Sequence, residues 1–221
     1  MKQPLVIFGT GDIAELASFY FDRDSPYEVA AFTVDGEYVK EPNFQGRPVV
    51  AFEEAARTFA PEQHAFFAAL SYSKLNEVRK TKYLAGKALG YRVASYVSSR
   101  ATVLNDHRIG EHAFILEDNT LQPFCSIGDN VTLWSGNHIG HHSRISDHCF
   151  LASHIVVSGG VEVGESSFIG VNVTIRDHVK VGARCVLGAG ALVLADCEPE
   201  GVYSPLATER SRVPSTRLRR L

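Results

Sequence analysis

The chain has 221 residues, of which 45% are hydrophobic and 21% are charged, which suits one or two globular domains with an apolar core. Its formal net charge of −3 argues against general electrostatic binding to nucleic acid or to an anionic membrane surface. The apolar run near the N-terminus, LVIF, is too short for a signal peptide, and no run reaches the length of a membrane span. We therefore expect a cytoplasmic protein with no membrane span and with reduced thiols.

Residues 1–96 alternate between strand-like and helix-like segments. Strands are predicted in PLVIF, YEVAAFTVD, HAFFAAL and YRVASYV, and helices follow Gly11, PVVA and the loop that begins SYSK. This alternation predicts a small parallel sheet with right-handed crossovers, and hence an α/β, Rossmann-like domain. The turn Gly9-Thr10-Gly11 after the first strand, with Asp35 after the second, is typical of a nucleotide site at the carboxyl ends of strands. A purely structural turn explains the two glycines equally well.

Residues 97–198 carry a six-residue period. Every sixth residue from Val97 to Val193 is Val, Ile or Leu, in 17 consecutive positions. This period fits a parallel β-helix in which each hexapeptide forms one flat side and places one aliphatic residue inside. The residues two positions earlier are mostly small and include all four cysteines, which we expect to be buried spacers. Glycine follows the aliphatic residue at seven positions, where we expect it to provide the positive φ of tight turns (110, 128, 140, 164, 170, 182 and 188).

The repeated pattern [LIV]-G-x-x-x-x resembles that of the hexapeptide-repeat acyltransferases, and it runs through residues 97–198 without an inserted loop. The resemblance implies a left-handed parallel β-helix with 18 residues per coil, between five and six coils, and a homotrimer with active sites in the clefts between neighbouring subunits. With a Rossmann-like domain in residues 1–96 and a tail in residues 199–221, the whole chain resembles the nucleotide-sugar N-acetyltransferases and the sialic acid O-acetyltransferase-like proteins.

In that family the front domain holds a nucleotide-linked sugar and the β-helix holds coenzyme A. The resemblance implies substrate contacts in the front domain (Gly9, Gly11, Asp35, Ser71 and Asn76), while Arg79 is either a further contact or a solvated helix charge. It implies acetyl-CoA contacts along the later coils, although turn formation explains the glycines among them equally well (Gly159, Gly160, Gly170, Val171, Gly188 and Ala189). The tail arginines either reach the 3′-phosphate of the coenzyme or belong to a solvated tail (210, 212, 217, 219 and 220).

The histidines of the segment WSGNHIGHHSRISDHCF are the candidates for acid–base chemistry. The family pattern, a histidine followed one coil later by a glycine, selects His141 as the general base and the Gly159 N–H as the donor to the thioester carbonyl. The family usually has an acidic residue after this histidine, where the chain has His142. Asp147, Asp177 or a backbone carbonyl are the alternatives for orienting the His141 ring.

Two other histidines are of interest, one within this segment and one just after it. His138, in an Asn-His pair, is a second catalytic candidate, and His154 stands where a glycine is more usual in the family. We expect the remaining histidines to be surface or turn residues (64, 107, 112, 148 and 178).

The resemblance therefore predicts an acetyl-CoA-dependent enzyme that acetylates the amino group of a nucleotide-linked sugar for surface glycan synthesis, such as lipopolysaccharide biosynthesis. The alternatives are O-acetylation of a sugar hydroxyl by the same machinery and a non-catalytic scaffold. A γ-class carbonic anhydrase has the same β-helix, but the positions of its three zinc-binding histidines are not all histidine in this chain. We accordingly expect no metal.

Overall fold

The N-terminal part of the chain forms a six-stranded sheet in the computed structural model, which describes residues 2–106 and 108–217. The strand order is β3-β4-β2-β1-β5-β6, and every neighbouring pair is parallel except β3 and β4. The elements of this α/β region are β1 (Gln3–Phe8), α1 (Asp12–Arg23), β2 (Tyr27–Val34), β3 (Asn43–Phe44), β4 (Arg47–Ala51), α2 (Phe52–Thr58), β5 (Ala65–Ala68), α3 (Glu77–Ala88) and β6 (Arg92–Val93), with a 3-10 turn at Gly36–Tyr38. The predicted alternation of strands and helices is confirmed.

Alternate residues of the central strands pack on opposite sides of the sheet. Leu5 and Ile7 of β1 lie in one apolar cluster with Phe21 of α1, whereas Phe8 lies in a second cluster with residues of α2 and α3. The first cluster also contains Phe114 from the second half of the chain. One side of the sheet is therefore covered by α2 and α3, and the other is covered jointly by α1 and the β-helix. No helix in the described part of the chain is both long and apolar enough to cross a membrane.

The second half of the chain is a three-sided parallel β-helix, called the prism below. The face on which the α/β region packs is called the covered face. It consists of β7 (Tyr96–Val97), β9 (Phe114–Ile115), β12 (Thr132–Leu133), β15 (Phe150–Leu151), β18 (Phe168–Ile169), β21 (Val186–Leu187) and β23 (Val202–Tyr203). The His138 face consists of β8 (Thr102–Val103), β10 (Thr120–Leu121), β13 (His138–Ile139), β16 (Val156–Val157), β19 (Thr174–Ile175) and β22 (Leu192–Val193). The Arg144 face consists of β11 (Ser126–Ile127), β14 (Arg144–Ile145), β17 (Glu162–Val163) and β20 (Lys180–Val181).

The six-residue period positions the interior of the prism as predicted. The aliphatic residues from Ile115 to Val193 are all buried, and only the first three of the series, Val97, Val103 and Ile109, are partly exposed at the open end. Successive coils pair in a register of 18 residues, for example Leu121 with Ile139. The four cysteines are free and buried, which confirms their role as small core residues.

The glycines that follow the aliphatic residues do not have the predicted positive φ. They instead lie against the next coil, because a Cβ on Gly140 would stand 2.6 Å from the Ser158 carbonyl carbon. The prediction of turn glycines at these seven positions is therefore wrong, and steric room explains them. Positive φ occurs two positions later, at every sixth residue from 106 to 190. Five histidines occupy this corner position (112, 142, 148, 154 and 178), which fits the preference of histidine, asparagine and aspartate for the left-handed region.

The α/β region is fastened to the prism by buried polar side chains. Arg79 is 2% exposed and donates hydrogen bonds to the carbonyl oxygens of Asn130, His148 and Cys149 over 2.9–3.2 Å. Burial lowers the pKa of Arg79 to about 10, so the guanidinium stays charged at neutral pH. Asn76 is fully buried, and its amide donates to the carbonyl oxygens of Ser166 and Ser167. Packing between the two halves of the chain engages both side chains. Asn76 is therefore not the predicted substrate contact, and Arg79 is neither a further contact nor a solvated helix charge.

Two histidines predicted to be surface or turn residues, His112 and His148, are buried in the same junction. His112 accepts a hydrogen bond from the Ala68 N–H (2.8 Å), and its Nδ1 contacts Asn130 Oδ1 (3.0 Å). The Asn130 amide in turn reaches His148 Nδ1 at 3.0 Å. Both histidines occupy corner positions, as expected of turn residues, but the α/β region covers them. Burial, more than the nearby Arg79 charge, lowers the pKa of His112 to about 3, so this imidazole is neutral in the folded protein.

Candidate active site

His141 lies at the corner between the His138 face and the Arg144 face, which is the corner opposite the covered face. The side chain is exposed, and the backbone N–H donates to Gln122 Oε1 over 2.9 Å. The ring packs against the residue one coil later, because a Cβ on Gly159 would stand 2.6 Å from His141 Cε1 and 2.7 Å from Nε2. A glycine at 159 is therefore what leaves room for the imidazole, and the two residues paired by spacing in the sequence are in contact.

His142 follows His141 in the chain, and the two rings are in contact. Its backbone is left-handed (φ 59°), and its Nδ1 stands 3.1 Å from His141 Nδ1. The His142 ring packs at a tilt against Phe124, with the ring centroids 4.8 Å apart. Asp147, one of the alternatives for orienting His141, instead accepts a hydrogen bond from the Asp129 N–H. Within the described part of the chain, His142 is the side chain that contacts His141 Nδ1.

His138 lies on the flat His138 face, one coil beyond Thr120 and one before Val156. Its side chain is half-buried, and it makes no hydrogen bond with His141 among the described residues. Its neighbour Asn137 is buried, donating to the Trp134 carbonyl and accepting from the Ile155 N–H. The Asn-His pair therefore consists of one residue that holds the coils together and one that faces outward beside the His141 corner.

The residues predicted to contact the cofactor are divided between two corners. Gly160 follows Gly159 at the His141 corner and has a φ of +68°. Gly170, Val171, Gly188 and Ala189 instead lie at or beside the corner between the covered face and the His138 face. A Cβ on Gly170 would stand 2.6 Å from the Ala189 backbone nitrogen, so close packing of the coils explains this glycine. Within a single chain, the predicted cofactor contacts at the His141 corner are separated from those at the other corner by the width of the His138 face.

A cavity of about 470 Å³ opens at the carboxyl ends of β1 and β2. Its lining residues come from the α/β region alone (Thr10, Gly11, Tyr38, Lys40, Glu41, Asn43, Phe44 and Val49). Gly11 is exposed at the start of α1, and a Cβ there would meet no other atom within 4 Å. Sequence reasoning found Gly11 but missed Tyr38, Lys40 and Asn43, although their position just after the second strand was a usable signal.

The other predicted substrate residues have distinct surroundings. Gly9 has a φ of +124°, and a Cβ there would stand 2.8 Å from the Ala69 carbonyl oxygen, so the close approach of the loop after β5 requires glycine. Asp35 forms an ion pair with Lys82 of α3. Ser71 is half-buried, with its hydroxyl 3.4 Å from that of Ser73.

The described residues contain no group of three or more His, Cys, Asp or Glu side chains arranged to hold a metal ion. Of the five tail arginines, Arg210, Arg212 and Arg217 are exposed, whereas Arg219 and Arg220 lie outside the described residues. His107, predicted to be a surface or turn residue, also lies outside them.

Comparisons with known proteins agree with this architecture. Residues 160–195 match the model of the bacterial transferase hexapeptide (six repeats). No curated protein matches the chain significantly in sequence. Among solved structures, a perosamine N-acetyltransferase variant from Caulobacter crescentus in complex with CoA and GDP-perosamine has a TM-score of 0.82 and 24% identity, covering 91% of this chain and 93% of that one.

Two other bacterial structures are similar over a comparable length. The acetyltransferase domain of PglB from Neisseria gonorrhoeae FA1090 has a TM-score of 0.77 and 19% identity, over 92% of this chain and 97% of that one. WeeI from Acinetobacter baumannii AYE has a TM-score of 0.77 and 17% identity, over 91% of this chain and 96% of that one. The chain thus has the fold of these bacterial acetyltransferases, in which an α/β region precedes a left-handed β-helix, and residues 160–195 of that β-helix match the hexapeptide model.

Proposed function

We propose that the chain is an acetyl-CoA-dependent acetyltransferase that acylates the amino group of a nucleotide-linked sugar in the synthesis of surface glycans. The observation that carries this proposal is the exposed imidazole of His141, seated against Gly159 with its Nδ1 in contact with a hydrogen-bonding partner. The similar structures support the class of reaction, since one contains CoA with GDP-perosamine and another contains acetyl coenzyme A.

The chemistry requires a base at the attacking nitrogen and a donor at the thioester oxygen. A neutral sugar amine attacks the thioester carbonyl, and His141 Nε2 takes a proton from that nitrogen as the C–N bond forms. The C–S bond then breaks, and the proton passes to the departing thiolate of coenzyme A. The Gly159 N–H makes no hydrogen bond with any described residue. It is therefore available to donate to the oxygen on which negative charge develops.

The cavity in the α/β region has the chemistry of a nucleotide site. Gly11 places backbone N–H groups at the start of the 12-residue helix α1, where a phosphate is favoured. Lys40 adds a positive charge at the cavity, and the exposed ring of Tyr38 offers a surface for a base to stack on. We infer that residues 1–96 act as a Rossmann-like nucleotide-sugar domain, with Gly9, Gly11 and Asp35 at its phosphate and ribose side.

The position of His141 supports the proposal that two chains build one active site. Its corner lies opposite the covered face, whereas the nucleotide cavity belongs to the region packed on that face. A sugar held in the cavity of one chain therefore needs an imidazole from another. We infer a homotrimer in which acetyl-CoA lies between prisms, contacting Gly159 and Gly160 of one subunit and Gly170, Val171, Gly188 and Ala189 of its neighbour. We place the reaction in the cytoplasm, with residues 97–198 as the acyltransferase domain and 199–221 as a tail.

The proposal is tested by thiol release from acetyl-CoA in the presence of UDP-, GDP- and dTDP-linked amino sugars. We expect turnover with at least one of them and an amide product that resists hydroxylamine. The variant His141→Asn should lower kcat by about 10²- to 10⁴-fold with coenzyme affinity retained. A hydroxylamine-labile product would indicate O-acetylation instead. No turnover with any acceptor, together with no binding of coenzyme A, would leave the scaffold as the better explanation.

A further inference from the structure

The two adjacent imidazoles at the prism corner form a pair that the proposed reaction does not by itself require. His141 and His142 have their Nδ1 atoms 3.1 Å apart, with the ring planes at 85° to each other. At this distance one nitrogen carries a hydrogen and the other accepts it. The contact thus sets which nitrogen of each ring is protonated.

The position of His142 is held by its surroundings. Its corner backbone is left-handed, and its ring packs on Phe124 one coil earlier, which itself has a φ of 67°. His141 is held by Gln122 at its backbone and by Gly159 at its ring. Both imidazoles are therefore fixed by neighbouring coils rather than by each other.

The role of His141 decides the direction of the hydrogen bond. A neutral imidazole accepts a proton at Nε2 only if its hydrogen is on Nδ1. His141 Nδ1 must then donate, and His142 Nδ1 must accept, with the His142 hydrogen on Nε2. Protonation of His142 places a hydrogen on its Nδ1, and the bond can then form only with His141 in the opposite tautomer, which has no free Nε2 lone pair.

We propose that His142 is a positioning residue that, as a neutral acceptor, holds His141 in the tautomer with a bare Nε2. This inference rests on the proposed function, because it takes His141 as the base. His142 touches neither substrate nor thioester in this scheme, and no proton moves onto it during a turnover. A neutral partner stabilises the imidazolium of His141 less than a carboxylate would.

The charged and titratable groups near the pair do not take part in it. Neither ring belongs to an ion pair among the described residues, and His138 is on the adjacent flat face. The groups on the neighbouring rungs are Arg144 and Glu162 on the Arg144 face, and Arg176, Asp177 and His178 two coils later. Glu162 pairs with Lys180 instead.

Three substitutions at position 142 separate its roles, because glycine, asparagine and aspartate all tolerate the left-handed corner. His142→Asn keeps a neutral acceptor, His142→Asp supplies a charged one, and His142→Gly removes the acceptor. Arg184→Asn is the matched control, since Arg184 is an exposed corner residue with a φ of 59° at a different corner, between the Arg144 face and the covered face.

We expect His142→Gly to change mainly kcat and His142→Asp to change mainly the pH profile. His142→Gly should lower kcat by about tenfold or more with little change in KM, because the His141 tautomer is no longer selected. The kcat of His142→Asn should fall by less than that of His142→Gly. His142→Asp should move the acid limb of the kcat/KM profile to higher pH, by about 1 unit, because a carboxylate favours the imidazolium. Arg184→Asn should match the wild type in both measurements.

A spectroscopic measurement tests the pair without turnover. Long-range ¹⁵N–¹H spectra of protein labelled in its imidazole nitrogens show which nitrogen carries hydrogen. At pH 8 we expect His141 to carry it on Nδ1 in the wild type and in His142→Asn, and to show a mixture in His142→Gly. A mixture already present in the wild type, or an unchanged kcat and pH profile in His142→Gly, would overturn the inference. Absence of turnover in the wild type would overturn the proposed function instead, and the spectra would still decide the tautomer.

Discussion

The contact between Gly159 and His141 makes the substitution Gly159→Ala a sharp test of the proposed site. The Gly159 backbone does not lie in the left-handed region, and Ala183 and Ala189 occupy the same position of the hexapeptide elsewhere, so alanine fits the chain. Its Cβ, however, would stand 2.6 Å from His141 Cε1, whereas ordinary van der Waals contact begins at 3.4 Å. The ring must therefore move by about 0.8 Å. Misplacement on the scale of 1 Å costs roughly 10²-fold in rate, so kcat should fall by about that factor.

The same structure predicts that this variant remains folded. His141 is exposed at a corner, so its ring moves into solvent without disturbing the core, and the free energy of unfolding should change by less than about 0.5 kcal/mol. Thiol release measures the rate, and urea denaturation measures the stability. Glu165→Ala, an exposed residue at the same position of its hexapeptide, is the control and should retain full activity. Wild-type kcat in Gly159→Ala would refute the steric reasoning, and a fall in kcat matched by lost stability would show that the prism itself had been damaged.

Three further predictions concern the junction and the nucleotide cavity. Arg79→Leu leaves the buried carbonyl oxygens of Asn130 and His148 without a donor, whereas that of Cys149 keeps the Thr132 N–H, and it should lower the free energy of unfolding by about 3–5 kcal/mol, measured in urea; a loss below about 1 kcal/mol would contradict this role. Because burial lowers the pKa of His112 to about 3, the unfolded chain binds a proton below about pH 6.5 that the folded chain does not. The free energy of unfolding should therefore decrease by about 1.4 kcal/mol per pH unit between pH 6 and 4, with His112→Asn flattening the slope; equal slopes would show that other groups dominate. Tyr38→Ala should raise KM for the nucleotide sugar several-fold with kcat and KM for acetyl-CoA retained, and an unchanged KM would place the base elsewhere.

The prism was predictable from the sequence because burial acts on each hexapeptide in the same way. One aliphatic residue per six predicted the flat sides and their interior, whereas the three sides and the 18-residue coil were implied by the family resemblance and are confirmed by the register. The pairing of His141 with Gly159 came from the resemblance to the acetyltransferase family, and the structure places the two residues in contact. The glycines after the aliphatic residues show the limit of this reasoning. Both a left-handed turn and a close approach between coils select glycine, so composition alone did not distinguish them.

The junction between the two halves was not predictable, because its contacts join residues far apart in the chain. Asn76 follows a strand of the α/β region and looked like a ligand contact, but its amide bonds to carbonyls 90 and 91 residues away. Arg79 was predicted to be a substrate contact or a solvated helix charge, and His112 a surface or turn residue. Packing of the sheet on the covered face buries both side chains. No local pattern indicates which polar side chains a second unit will cover.

The sequence by itself determined the coil, its interior and the order of α/β region and β-helix, since these follow from periodic burial and local strand and helix preferences. Only the tertiary structure decided which histidines remain exposed, which face the α/β region covers, and that His142 reaches the ring of His141. Those outcomes depend on long-range packing. Whether a side chain loses contact with water is decided by the residues that pack on it in space, not by its neighbours in the sequence.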